Sequence, residues 1–210
     1  DSVQNILYYA TTLDLFASRM VDGIPSKPQL VLTVPRGYFQ SLQFNQNGLW
    51  ASNRYQVYLI RNNKVFKTWD FESEGRFIFD LFADTKGNVW LSQDGNREAK
   101  CITNDLQIKR YVVPLASGTG VNVIRESENG ILAGSAGTGN YLFFKAHEDS
   151  VFRNISLPIP FPAKSDLSIG DITVNSGFIW MASSEGLLKY DYKTVEKVVL
   201  GNFNPDFAVR

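Results

Sequence analysis

The sequence predicts an all-β chain, a β-propeller built from four-stranded units. Three observations carry this: a turn motif that recurs four times, its spacing, and the division of each interval into four short strands. The turns are Asn45-Gln46-Asn47-Gly48-Leu49-Trp50, Asp84-Thr85-Lys86-Gly87-Asn88-Val89-Trp90, Ser127-Glu128-Asn129-Gly130-Ile131-Leu132 and Asn175-Ser176-Gly177-Phe178-Ile179-Trp180. Their glycines lie 39, 43 and 47 residues apart. A period of about 40–50 residues with several strands per repeat is the signature of propeller blades. Asn or Asp opens such a hairpin by bonding nearby backbone, and Gly is expected to take the positive φ of the tight turn. The large apolar residue that follows, Trp50, Trp90, Leu132 or Trp180, then falls at one depth on a pleated strand. It is expected to wedge between adjacent blades.

The strands follow in order. The second unit reads Phe39–Phe44, Leu49–Ser52, Gln56–Ile60 and Val65–Trp69, with Asn62-Asn63 as its last turn. The third reads Phe77–Ala83, Val89–Ser92, Ala99–Thr103 and Gln107–Val112, with Asn104-Asp105 in the same role. The fourth reads Val121–Glu126, Ile131–Gly134, Asn140–Lys145 and Val151–Ile155. The fifth reads Ser168–Val174, Phe178–Ala182, Gly186–Tyr190 and Val195–Leu200. The first unit supplies only three strands, Ile6–Ala10 and pieces near Asp14–Ser18 and Gln29–Thr33. Leu13, Phe16, Ala17, Met20 and Val21 also recur at helical spacing before Gly23, but the repeat register favours strand. Asp206–Arg210 resembles the first strand of a blade and could complete the N-terminal unit; a piece of a longer propeller is the competing account. The repeat units are thus 1–37, 38–76, 77–120, 121–166 and 167–205, in one propeller domain or segment. The proline-rich Leu157–Pro162 cannot be a central strand, because proline lacks the ladder donor.

Composition excludes several functions. Lys plus Arg and Asp plus Glu are each 21 in 210 residues, so a generic electrostatic grip on nucleic acid is not expected. No apolar run approaches the roughly 18–20 residues of a membrane span, and no secretory leader is recognisable at Asp1. One cysteine, Cys101, and one histidine, His147, leave no internal disulfide and no multi-histidine metal site. No cofactor and no metal are expected.

The pieces Asp84–Leu91 and Gly186-Leu187-Leu188-Lys189-Tyr190-Asp191 resemble the two-component regulator propeller repeat, over about residues 38–200. That resemblance implies an extracytoplasmic sensor region of a hybrid two-component system, periplasmic or extracellular, in which propellers precede a β-sandwich, a membrane helix and kinase parts. It implies oligosaccharide or another small ligand as partner, alongside other propeller or sandwich domains of a parent chain. Structural interaction propellers of surface or secretion proteins share the architecture. Polysaccharide cleavage is the least favoured alternative, since no carboxylate pair is spaced for it.

Propeller ligands meet the face made by the fourth-to-first and second-to-third strand loops. Those loops place Arg54, Tyr55, Arg76, Asn96, Arg97 and Asn140 as the candidate ligand-binding set. Guanidinium forks, amides and a ring suit a carbohydrate or a carboxylate. Gly48, Trp50, Asp84, Gly87, Trp90, Gly130, Gly177 and Trp180 are the structural turn and wedge residues. Trp69 breaks the pattern on an outer strand and is expected to be the exposed aromatic. Gly134–Gly139 superficially matches a dinucleotide fingerprint, but a strand follows where a helix is needed. Asp84 resembles the Asp of a sialidase hairpin box and is expected to serve its own turn. His147 sits in a polar hairpin tip, and Cys101 is expected in a buried strand.

Overall fold

The computed structural model describes residues 5–115, 119–135, 141–155, 157–158 and 167–198. They form five antiparallel sheets in chain order. The first holds β1 (Ile6–Ala10), β2 (Asp14–Val21), β3 (Ile24–Pro25) and β4 (Gln29–Thr33). The second holds β5 (Ser41–Asn45), β6 (Gly48–Ser52), β7 (Gln56–Arg61) and β8 (Lys64–Asp70). The third holds β9 (Ile78–Ala83), β10 (Val89–Gln93), β11 (Glu98–Ile102) and β12 (Ile108–Val112). The fourth holds β13 (Val121–Ser127), β14 (Gly130–Ser135), β15 (Leu142–Ala146) and β16 (Arg153–Ile155). The fifth holds β17 (Ile169–Asn175), β18 (Phe178–Ser183), β19 (Gly186–Tyr190) and β20 (Val195–Lys197). Residues 14–21 are strand, as the repeat register requires and the helical spacing does not.

The last four sheets are simple meanders, each strand pairing with its sequence neighbours. The first sheet differs: β4 pairs with β2, β3 forms only a short ribbon at the far end of β2, and β1 is its edge. The strand expected at Asp206–Arg210 lies outside the described residues. The innermost strands β5, β9, β13 and β17 stand side by side, and successive sheets fan outward from them.

Strand alternation builds the core between sheets rather than within one layer. Leu49 and Ala51 of β6 pack toward the first sheet, while Trp50 packs on Ile78, Leu81 and Leu91 of the third. Val89 and Leu91 of β10 look back at the second sheet, while Trp90 packs on Ile124, Ala133 and Phe143 of the fourth. Leu132 of β14 faces Ile169, Ile179 and Met181 of the fifth. Among the described residues, no core cluster joins the fifth sheet to the first.

The turn chemistry ties each wedge in place. Asn45 Oδ1 accepts the Asn47 amide and Trp50 Nε1, both at 2.9 Å. Asp84, nearly buried, accepts the amides of Lys86 and Asn88 on one oxygen and Asn88 Nδ2 and Trp90 Nε1 on the other. Asp84 is therefore a turn residue whose second oxygen also orients the wedge.

Three expectations need correction. Trp69 is 7% exposed, because its ring stacks on Trp50 at 5.3 Å instead of facing solvent. Trp180 is only half-buried: it lies on the flank of the fifth sheet that no described cluster covers, beneath Lys189 Nζ at 5.6 Å. Gly130 does not occupy the positive-φ region that Gly48, Gly87 and Gly177 share. Its requirement is space, since a Cβ there would run into the Lys145 carbonyl of the neighbouring strand. Gly130→Ala should accordingly destabilise the domain by about 1–3 kcal/mol, the usual range for overpacking. Urea unfolding reads this directly; an unchanged midpoint would show that the backbone gives way.

Candidate functional site

The loops that join β4 to β5, β8 to β9, β6 to β7 and β10 to β11 meet at one end of the sheets. Asn53 builds the β6–β7 turn. It is buried, its Oδ1 accepts the amides of Tyr55 and Gln56, and its Nδ2 donates to the Arg36 carbonyl at 3.3 Å. Arg54 and Tyr55 are thereby presented outward. Their carbonyls accept the amides of Ile78 and Phe71, which fastens the β8–β9 loop beside them.

Arg54 lies in a slot contributed by two sheet junctions. Its stem passes 3.4 Å from where a Cβ on Gly37 would stand, and Gly37 takes the positive φ that leaves this room. Its guanidinium carbon sits 5.2 Å from the Tyr38 ring centroid and 4.5 Å from that of Phe77. Tyr55 meets Phe77 edge-on at 5.4 Å. A hydrogen bond from Arg54, a second from Gln40 and the Arg54 charge hold the Tyr38 phenol below its ordinary pKa.

Arg76, on the same β8–β9 loop, donates to the Asp94 carbonyl at 2.9 Å and so reaches the β10–β11 hairpin. The loop is held from below by Glu74. Its carboxylate accepts from Lys100 Nζ and, at 2.9 Å, from Arg110 Nη2, while Arg110 also pairs with Glu98 at 3.2 Å. Lys100 is fully enclosed, over the Phe71 ring, and also donates to Gln93 Oε1. Burial pushes Lys100 below its ordinary pKa despite the Glu74 contact. Burial alone would raise Glu74, but hydrogen bonds from Lys100 and Arg110 outweigh it and leave the carboxyl below its ordinary value.

Of the sequence-derived set, Arg54, Tyr55 and Arg76 share one patch. Asn96 and Arg97 lie on the adjacent hairpin but are engaged locally. Asn96 donates to Gln93 Oε1 at 3.1 Å and accepts the Glu98 amide, and Arg97 donates to the Leu115 carbonyl. Asn140 lies outside the described residues. Tyr38, a residue of the same loops by sequence, was not in the candidate set, and neither was Phe77. Phe77 reads as the start of a strand, where an aromatic signals core; the structure instead places it in the loop before β9.

Elsewhere, Arg125 on β13 bridges Asp80 of β9 and, at 2.7 Å, Asp171 of β17, beside a cavity of about 490 Å³ among the innermost strands. His147 lies on the β15–β16 hairpin, at the end opposite the candidate patch. Cys101 is buried, and burial pushes its thiol up to about 12. Among the described residues, no cluster of His, Cys, Asp and Glu could hold a metal, and no helix is long and apolar enough to cross a membrane.

With this architecture in view, the chain was compared with known proteins. Solved propellers superpose over nearly its whole length. The fold is a β-propeller. No family model and no curated protein matches the propeller chain. The extracellular domain of a hybrid two-component system from B. thetaiotaomicron aligns over 96% of this chain, at 14% identity and a TM-score of 0.71. The extracellular domain of a second such system from the same organism aligns over 97%, at 16% identity and a TM-score of 0.62. The match covers 27% and 28% of those chains, so this propeller spans about a quarter of their length. Virginiamycin B lyase from Staphylococcus aureus aligns over 95% of this chain and 68% of its own, at 14% identity and a TM-score of 0.70. Sensor regions and a lyase therefore share this propeller architecture.

Proposed function

We propose that this propeller is an extracytoplasmic ligand-binding domain of the sensor type, periplasmic or extracellular, that captures an oligosaccharide on its Arg54 face. The observation that carries this reading is the Arg54 slot: a guanidinium set against the Tyr38 and Phe77 rings, with Tyr55 at their edge. Aromatic faces receive the C–H faces of sugars, and guanidinium edges donate to sugar oxygens. The likeness to extracellular domains of two-component systems agrees with it. Tyr38 and Phe77 belong to successive sheet junctions, so a ligand touching both would restrain the second sheet against its neighbours. That restraint is the signal such a domain would pass on. The flanks that no core cluster of the described residues covers carry apolar side chains, Leu7, Tyr9 and Phe16 on the first sheet and Phe178 and Trp180 on the fifth. They suit further propeller units or a sandwich domain as neighbours. We read the domain as non-enzymatic, because the candidate patch holds no imidazole and no facing carboxylate pair among its described residues.

Thermal unfolding against a panel of oligosaccharides tests this. A ligand at a hundredfold excess over its Kd should add about 2.7 kcal/mol, a shift of a few degrees for this size. Phe77→Ser should remove the shift while the domain stays folded. A panel that moves nothing, or a shift that survives Phe77→Ser, rejects the reading.

A further inference from the structure

The charges around the Arg54 slot are unequally used. Glu72 is paired with Arg36 at 2.8 Å, Glu74 with Lys100 and Arg110, and Glu98 with Arg110. Asp70 accepts from Gln56 Nε2 and the Glu72 amide. Arg54 and Arg76 have no carboxylate partner among the described residues. Arg76 gives one hydrogen bond to a backbone carbonyl, and Arg54 rests on rings and gives one to the Tyr38 phenol. Asp94 offers Arg76 only its backbone carbonyl, not its carboxylate.

An arginine held by its stem, by ring faces and by one phenol, with no carboxylate beside it, keeps the remaining N–H groups of its fork available. The fork's geometry matches a carboxylate or sulfate bidentately. The Gly37 slot and two rings from different sheet junctions fix its orientation in advance, so little freedom is lost when an anion arrives. Arg76, next to Phe77 in the same loop, adds a second cation to the patch. A neutral sugar would leave both guanidinium groups without the partner their geometry suits.

We propose that the ligand is an acidic oligosaccharide whose carboxylate or sulfate docks on the Arg54 fork, with Tyr38 and Phe77 as the platform for the ring that carries it. This rests on the Arg54 face being the sugar-binding face. Arg54 is then the residue that selects acidic over neutral glycans, and Arg76 strengthens the preference.

Calorimetric titration with four probes decides it: trigalacturonic acid, its methyl ester, cellotriose and a sulfated galactobiose. The acid should bind roughly ten- to a hundredfold tighter than its ester, the worth of one charge-assisted hydrogen-bonded pair. Added salt should shrink the difference. The sulfated probe reports whether sulfate serves as well as carboxylate. Arg54→Gln keeps the stem against Gly37 and should erase the acid preference, lowering acid affinity far more than ester affinity. Should that variant fold poorly, the acid-against-ester ratio in the unmodified protein still decides. Acid and ester binding equally, or a preference that survives Arg54→Gln, overturns the acidic class while the sugar-binding face stands. No binding by any probe, with the protein folded, overturns both.

Discussion

Trp90→Ala should cost the domain about 3–5 kcal/mol. The side chain is 4% exposed and fills the junction between the third and fourth sheets. It lies 5.2 Å from Tyr111 and 6.4 Å from Phe152 between ring centroids, and its Nε1 is tied to Asp84 at 2.9 Å. Removing it opens a cavity that neighbouring strands cannot close, because their ladders fix their spacing. In a stacked architecture each sheet touches only its neighbours, so the damage should begin at that junction. Trp180→Ala provides the internal comparison. The same repeat position there faces a flank that no core cluster of the described residues covers, and its loss should cost well under half as much. Urea midpoints of the two variants measure this. Equal losses would mean that the wedge contributes through its own strand and not through the junction.

Glu74→Ala should cost about 3–5 kcal/mol, because it strands a buried ammonium. Lys100 is fully enclosed, and its remaining polar contact is the Gln93 side-chain oxygen. Lys100→Met should cost less, since Glu74 keeps Arg110 and no charge is left buried. The Glu74 contact also has a pH signature. Its folded pKa lies below the ordinary 4.5, so its stabilisation is complete above that value and is lost as pH falls through the folded one. Lys100 acts in the opposite range. Its pKa is lowered by burial, so the cost of enclosing its charge is relieved as pH rises toward 10.5. Both pKa values fall, but for different causes: Lys100 is enclosed with one carboxylate, so burial wins, while Glu74 is partly exposed and faces two cations, so its partners win. An acid unfolding curve identical in the parent and in Glu74→Gln would remove this account. The contact also holds the loop that carries Arg76 and Phe77, so Glu74→Ala should weaken ligand capture along with stability.

The repeat was legible in residues with local causes. Asn45, Asp84 and Asn175 open turns, Asn62 and Asn63 both adopt the positive φ of a tight hairpin, and two-residue alternation sets which face each strand presents. Those properties depend on neighbours close in sequence, so four four-stranded units and three strands of the first could be placed within a few residues of their bounds. The Arg54 and Arg76 patch was partly legible for the same reason: loop positions follow from strand positions.

What only the tertiary structure decided depends on distance between units. Trp69 reads as an exposed outer aromatic until Trp50 is found stacked against it, and Trp180 reads as a wedge until it is found half-buried on a flank that no core cluster of the described residues covers. Asn96 and Arg97 have the right chemistry for a ligand, but their hydrogen bonds are taken by their own hairpin and by Leu115. Phe77 and Tyr38 lie 39 residues apart and on different junctions, and only folding brings both rings against Arg54. Sequence by itself determined the strands, their turns and the end of the propeller where loops converge. Which side chains are used up by internal partners, and which remain available, was decided by contacts across sheets, because hydrogen-bond and charge satisfaction is a property of three-dimensional neighbours.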